Sequence, residues 1–90
     1  MAVEDKALRL KRLTMRSWRR GTKEMDLVLG PFADAHLAGM AGDELDRYER
    51  LLEESDPDLM AMVLGQREAP AALAGMLGRV AVFARSRLGR

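Results

Sequence analysis

Cysteine is absent from this 90-residue chain, which removes disulfides, thiolate metal sites and cysteine nucleophiles together. Histidine occurs once, at His36. A His/Cys zinc cluster therefore cannot be assembled, and no run of carboxylates has the spacing of a calcium loop. His36 falls on an apolar stripe near a helix end, where a packed imidazole suits the negative end of the helix dipole better than it serves as a base. Gly75, Gly78 and Gly89 follow no strand, so they do not form a phosphate-cradling loop. No apolar run approaches the roughly 20 residues needed to cross a bilayer. The opening Met1-Ala2-Val3-Glu4-Asp5-Lys6 carries early acids and lacks the apolar centre of an export signal. These absences exclude most catalytic and metal chemistry, leaving no catalytic, cofactor-binding or metal-binding residue to nominate. They point to a cytoplasmic protein without membrane insertion.

What is present suits one small soluble domain, spanning 1–90 with its core over about 4–87. The composition is 48% apolar and 32% charged, which is that of a folded chain rather than a disordered one. A domain of this length hides only about two thirds of its unfolded surface, too little for a deep enclosed cleft. The net charge of +1 conceals segregation: residues 1–24 carry +5, residues 25–70 carry −8 and residues 71–90 carry +4. Such asymmetry supports complementarity either to a partner or between helices of the same domain.

Leu, Ala, Met, Arg and Glu dominate and no stretch alternates with period two, so the expected fold is all-α, a five-helix bundle. The first helix covers about residues 4–19, with Val3, Ala7, Leu10 and Trp18 on one side and Arg9, Arg12, Arg16 and Arg19 as a basic stripe on another. Gly21 supplies the left-handed turn that ends it. The second helix runs from about Thr22 to Ala38 on Met25, Val28, Leu29, Phe32 and His36, and Gly30-Pro31 predicts a kink or break within it. After a loop at Gly39–Gly42, Asp43 and Glu44 head the third helix, whose core residues are Leu45, Tyr48, Leu51 and Leu52. Ser55-Asp56-Pro57-Asp58 reads as a cap and first turn, opening a short fourth helix over about Pro57–Leu64 on Leu59, Met62 and Val63. Pro70 opens the fifth, which runs to about Arg87 on Leu73, Met76, Leu77, Val80, Phe83 and Ala84.

The most informative stretch is Arg19-Arg20-Gly21-Thr22-Lys23-Glu24-Met25-Asp26, where two helices meet and opposite charges crowd one turn. Here an arginine, a short backbone and a glutamate are presented together. A purely structural reading also exists, in which Gly21 joins the helices and Glu24, as the third helical residue, reaches back to free amides. The basic stripe has two readings as well: four arginines on one face suit phosphate neutralisation, or equally an acidic protein surface. Nucleic-acid binding through the first helix is the alternative function, and no base-reading motif accompanies it.

The chain resembles the SdhE family of small FAD assembly factors of succinate dehydrogenase, over about residues 9–68. The likeness rests on Arg20-Gly21-x-x-Glu24, then Asp26, Leu27-Val28-Leu29 and Pro31-Phe32. A second block follows at Tyr48-Glu49-Arg50-Leu51-Leu52-Glu53 and Ser55-Asp56-Pro57-Asp58-Leu59. It departs from the family at Met60, where an aromatic is common, and at Ala35-His36-Leu37, where a His-Glu-Tyr-like element is common. The resemblance implies a non-enzymatic chaperone, expected to be monomeric. Its partner would be the flavoprotein subunit of succinate dehydrogenase, and in bacteria often that of fumarate reductase, which acquires covalent FAD on a histidine. FAD would belong to that client, with no cofactor held tightly by this chain. The implied contact residues are Arg20, Gly21, Glu24 and Asp26, extended along the first helix by Arg16 and Arg19. Arg20 would bond client carboxylates or carbonyls, while Glu24 would meet a client cation or hold Arg20. Arg20 and Glu24 are accordingly expected to be mostly exposed, and Trp18 and Phe32 at least partly buried.

Overall fold

Helical periodicity organises the whole of the computed structural model, which describes residues 4–88. Its elements are α1 (Lys6–Trp18), α2 (Lys23–His36), a 3-10 turn at Leu37–Gly39, α3 (Gly42–Leu51), α4 (Asp56–Val63) and α5 (Ala71–Leu88). Five α-helices and no strand appear among the described residues, so the all-α expectation holds. Val3 and Gly89 lie outside the described residues.

The caps follow local chemistry. Asp5 accepts a hydrogen bond from the Leu8 amide at 2.8 Å, and Ser55 accepts one from the Asp58 amide with Pro57 in the first turn. At the head of α3, Glu44 reaches back to the Ala41 amide at 2.9 Å. Pro70 starts α5 by offering its carbonyl to the amides of Leu73 and Ala74.

The core is continuous across the helices, with Leu13, Leu29, Phe32, Leu37, Met40, Tyr48, Leu51, Leu59, Leu73 and Val80 almost fully buried. Phe32 is its aromatic hub, stacked on Tyr48 at 5.7 Å and edge-on to Phe83 at 5.8 Å between ring centroids. His36 packs against the same rings, 4.9 Å from Phe32 and 5.1 Å from Phe83. That is the packed imidazole expected of a helix-terminal stripe residue.

Two expectations need correcting. No break occurs at Gly30-Pro31, because α2 runs through it. Pro31 removes one amide donor, but Leu29, Phe32 and Ala33 on either side are buried and hold the helix in place. Glycine at position 30 serves a different purpose: a Cβ there would stand 2.3 Å from the Trp18 ring, so Trp18 lies directly across this backbone. Trp18 is partly buried, as expected, at 38% exposure, and its indole N–H is shared between both carboxylate oxygens of Asp34. Ala7, assigned to the same apolar side, is exposed. What α1 buries instead is Leu13 and Ser17, the Ser17 hydroxyl donating to the Leu13 carbonyl at 2.8 Å. Its single proton is thereby spent, so the Tyr48 phenol, 2.6 Å away, donates to it. Burial pushes the Tyr48 phenol up to about 12, against the opposing pull of Ser17 and the Arg20 charge.

Candidate functional site

The turn between α1 and α2 is built from both of its sides. Gly21 has φ +101°, which non-glycine residues avoid, and nothing lies within 4 Å of where its Cβ would be. The left-handed turn expected at this glycine is therefore present, with its outer side open. The reach-back predicted for Glu24 is made by Asp26 instead: its carboxylate accepts from the Arg20 amide at 2.7 Å. Thr22 is the N-cap of α2 by position, yet its hydroxyl donates to Asp56 at 3.1 Å rather than to the helix.

Arg20 is the main correction. Its side chain is only 11% exposed, where a mostly exposed contact residue was expected. The guanidinium reaches across to the connection between α3 and α4. There Nε donates to Asp56 Oδ1 at 2.8 Å, Nη1 to the Leu52 carbonyl at 2.6 Å and Nη2 to the Glu54 carbonyl at 2.6 Å. The planar fork of arginine satisfies a carboxylate and two loop carbonyls at once, which a point-charge ammonium cannot do. Arg20 is thus a clamp that joins two turns distant in sequence, and its orientation toward the protein removes it from the accessible face. Glu24 does not hold it.

What that clamp leaves outward is Gly21, Arg19, Lys23 and Glu24, all exposed. None of the three charged side chains forms an ion pair among the described residues. Glu24 stands in the first turn of α2, where the dipole favours its charge. Lys23 was not singled out from the sequence, and its place between Gly21 and Glu24 was the available signal.

The basic stripe of α1 is largely consumed inside the molecule. Arg9 pairs with Asp46 at 2.6 Å and Glu49 at 3.1 Å; Arg12 with Glu4 and Glu49, each at 2.8 Å; Arg16 with Glu53 at 2.8 Å. Asp46 and Glu49 share one face of α3 and Glu53 follows in the turn after it, so the segregated charges meet as a ladder. The Arg12 guanidinium, then Arg9, holds the Glu49 carboxyl below its ordinary range, and Arg12 does the same to Glu4. Arg16, named as an extension of the contact surface, belongs to this ladder, whereas Arg19 lies outside it. Phosphate neutralisation by the stripe loses its basis, since three of its four arginines already face carboxylates.

Comparison with known proteins bears on this arrangement. Residues 11–83 match the family model Sdh5, described as flavinator of succinate dehydrogenase. The chain belongs to this family. A curated relative from Acetobacter pasteurianus, "FAD assembly factor SdhE", is 36% identical over 90 residues, covering 99% of this chain and 83% of that protein. "Succinate dehydrogenase assembly factor 2, mitochondrial" of Debaryomyces hansenii is 46% identical over 48 residues, covering 53% of this chain and 34% of its own length. Its namesake in Cryptococcus neoformans is 37% identical over 68 residues, covering 76% and 38%. The chain thus spans most of the bacterial relative but little more than a third of these fungal ones. Members of the family are named as assembly factors and not as enzymes. Among the described residues, no group of three or more His, Asp or Glu side chains is placed to hold a metal ion, and no helix is long and apolar enough to cross a membrane.

Proposed function

We propose that this chain is an assembly factor for the flavoprotein subunit of succinate dehydrogenase, promoting covalent attachment of FAD to that subunit. Family membership over residues 11–83 is the observation that carries the reading. The geometry of the turn supports it: an open, Cβ-free backbone at Gly21 is flanked by exposed, unpaired charges and braced from behind by Arg20. Such a turn admits close approach of a client backbone, and Glu24, Lys23 and Arg19 supply charges to read it. The factor contributes no base or nucleophile. It acts by binding one arrangement of the client better than others, shifting the population toward the one in which flavin and histidine react. FAD is held by the client rather than by this chain. The flavoprotein of fumarate reductase is proposed as a second client, and the factor as a cytoplasmic monomer.

The test is flavin fluorescence in a denaturing gel of succinate dehydrogenase flavoprotein, purified from cells carrying wild-type factor, Gly21→Arg or Glu24→Ala. Gly21→Arg costs about 1–2 kcal/mol for a left-handed non-glycine residue, tolerable beside the ~5–15 kcal/mol typical of a domain. The variants are expected to melt cooperatively yet leave the client poorly flavinylated. Full flavinylation with both substitutions would remove the turn as the site.

A further inference from the structure

Beside the turn, between α2, α4 and α5, lies an apolar groove with a volume of about 420 Å³. Leu27 and Leu64 line it while remaining 47% and 61% exposed, and Met60 and Ala84 continue its wall. Apolar side chains left in water forgo the burial that stabilises a fold, and neither Leu27 nor Leu64 belongs to the buried core. The charged residues lining the groove are Glu24 and Arg85, one of each sign and both exposed. Neither forms an ion pair among the described residues. Small-molecule sites enclose most of their ligand, whereas this groove is open, its leucines exposed to solvent and its wall carrying two opposite charges. Those suit a protein segment whose apolar face carries a basic residue for Glu24 and an acidic one for Arg85. Glu24 belongs both to the turn and to this groove, so the two surfaces are continuous.

We propose that the groove docks an apolar-faced segment of the client flavoprotein bearing that pair of charges. This rests on the assembly-factor reading above and extends the contact surface from the turn onto α4 and α5. The test measures binding of purified flavoprotein subunit to wild-type factor, to Leu27→Gln/Leu64→Gln, and to Leu8→Gln/Met15→Gln. The last pair alters equally accessible apolar residues on α1, 58% and 43% exposed. The groove variant should melt like wild type and bind about tenfold or more weakly, as expected for losing apolar burial at two leucines. The α1 variant should bind normally. A photo-crosslinking residue in place of Leu64 should join the factor to the flavoprotein. Unchanged affinity of the groove variant, equal loss in the α1 variant, or crosslinking only to a second copy of this chain overturns the docking site while leaving the assembly function standing. If the wild-type factor fails to bind the flavoprotein at all, both readings fall together.

Discussion

Replacing Arg20 by alanine separates a clamp from a contact residue, because the two roles predict opposite patterns of stability and function. From a site 11% exposed the side chain makes three charge-assisted hydrogen bonds of 2.6–2.8 Å, one to the Asp56 carboxylate, itself 15% exposed, and two to the Leu52 and Glu54 carbonyls. Such bonds contribute about 1.5–3 kcal/mol each when taken singly, but three made by one group are not additive. Truncation leaves Asp56 with the Thr22 hydroxyl as its remaining partner and opens the Leu52 and Glu54 carbonyls to entering water. Removing one partner of a buried pair costs about 3–5 kcal/mol, and partial solvent access puts this case at the lower end, near 3 kcal/mol. In a domain of this size that corresponds to a fall in melting temperature of roughly 12–24 °C. Thermal and urea denaturation of Arg20→Ala and Arg20→Lys check it. Lysine should recover only part of the loss, since it restores charge without the fork. An Arg20→Ala protein that melts within a degree or two of wild type while failing to flavinylate its client would make Arg20 a contact residue and refute the clamp.

Further outcomes are expected elsewhere. A double-mutant cycle on Arg12→Ala and Glu49→Ala should return a coupling of about 0.5–1 kcal/mol that shrinks with added salt, as partly exposed pairs do; coupling indifferent to salt would contradict the ladder geometry. Glu49 and Glu4 have lowered carboxyl pKa values, so their stabilisation is present above the unfolded carboxylate pKa of about 4.3 and is lost as pH falls through the folded value. The melting temperature should therefore drop on acidification, and less steeply in Glu49→Gln. Tyr48 has the opposite sign: its contribution is complete below an unfolded pKa of about 10 and is lost as pH rises toward the folded value of about 12. Tyr48→Phe should cost about 1 kcal/mol near neutrality, one buried hydrogen bond. Gly30→Ala places a methyl 2.3 Å from the Trp18 ring, so fluorescence of the chain's only tryptophan should shift to the red; an unchanged spectrum would show that the ring does not lie across this backbone.

Local chemistry made most of the fold legible in advance. The Ser55 cap, the acids Asp43 and Glu44 heading α3, the Gly21 turn and the apolar stripes of α2 to α5 depend on residues within a turn of one another, and these agree with the structure. Misplaced features depend on partners far along the chain. Arg20 is claimed by atoms 32–36 residues away, so its neighbours in sequence suggested an outward-facing charge. On α1, Ser17 is buried because Tyr48 meets it, whereas Trp18 lies across a helix whose glycine had been read as a weak point. Charge segregation was visible from composition, but whether it served a partner or the molecule itself required the α3 carboxylates to be seen opposite the α1 arginines.

The Arg20 clamp also has a genetic consequence. Because the α1–α2 turn leans on the backbone of Leu52 and Glu54 and on Asp56, the motif is not confined to the residues that spell it. A proline or a deletion within residues 52–56, remote from Gly21 in sequence, will withdraw the carbonyls that Arg20 grips. In a screen scored only by loss of client flavin, such alleles will group with Gly21 and Glu24 alleles. A second-site change that re-forms the loop will rescue them but not Gly21→Arg.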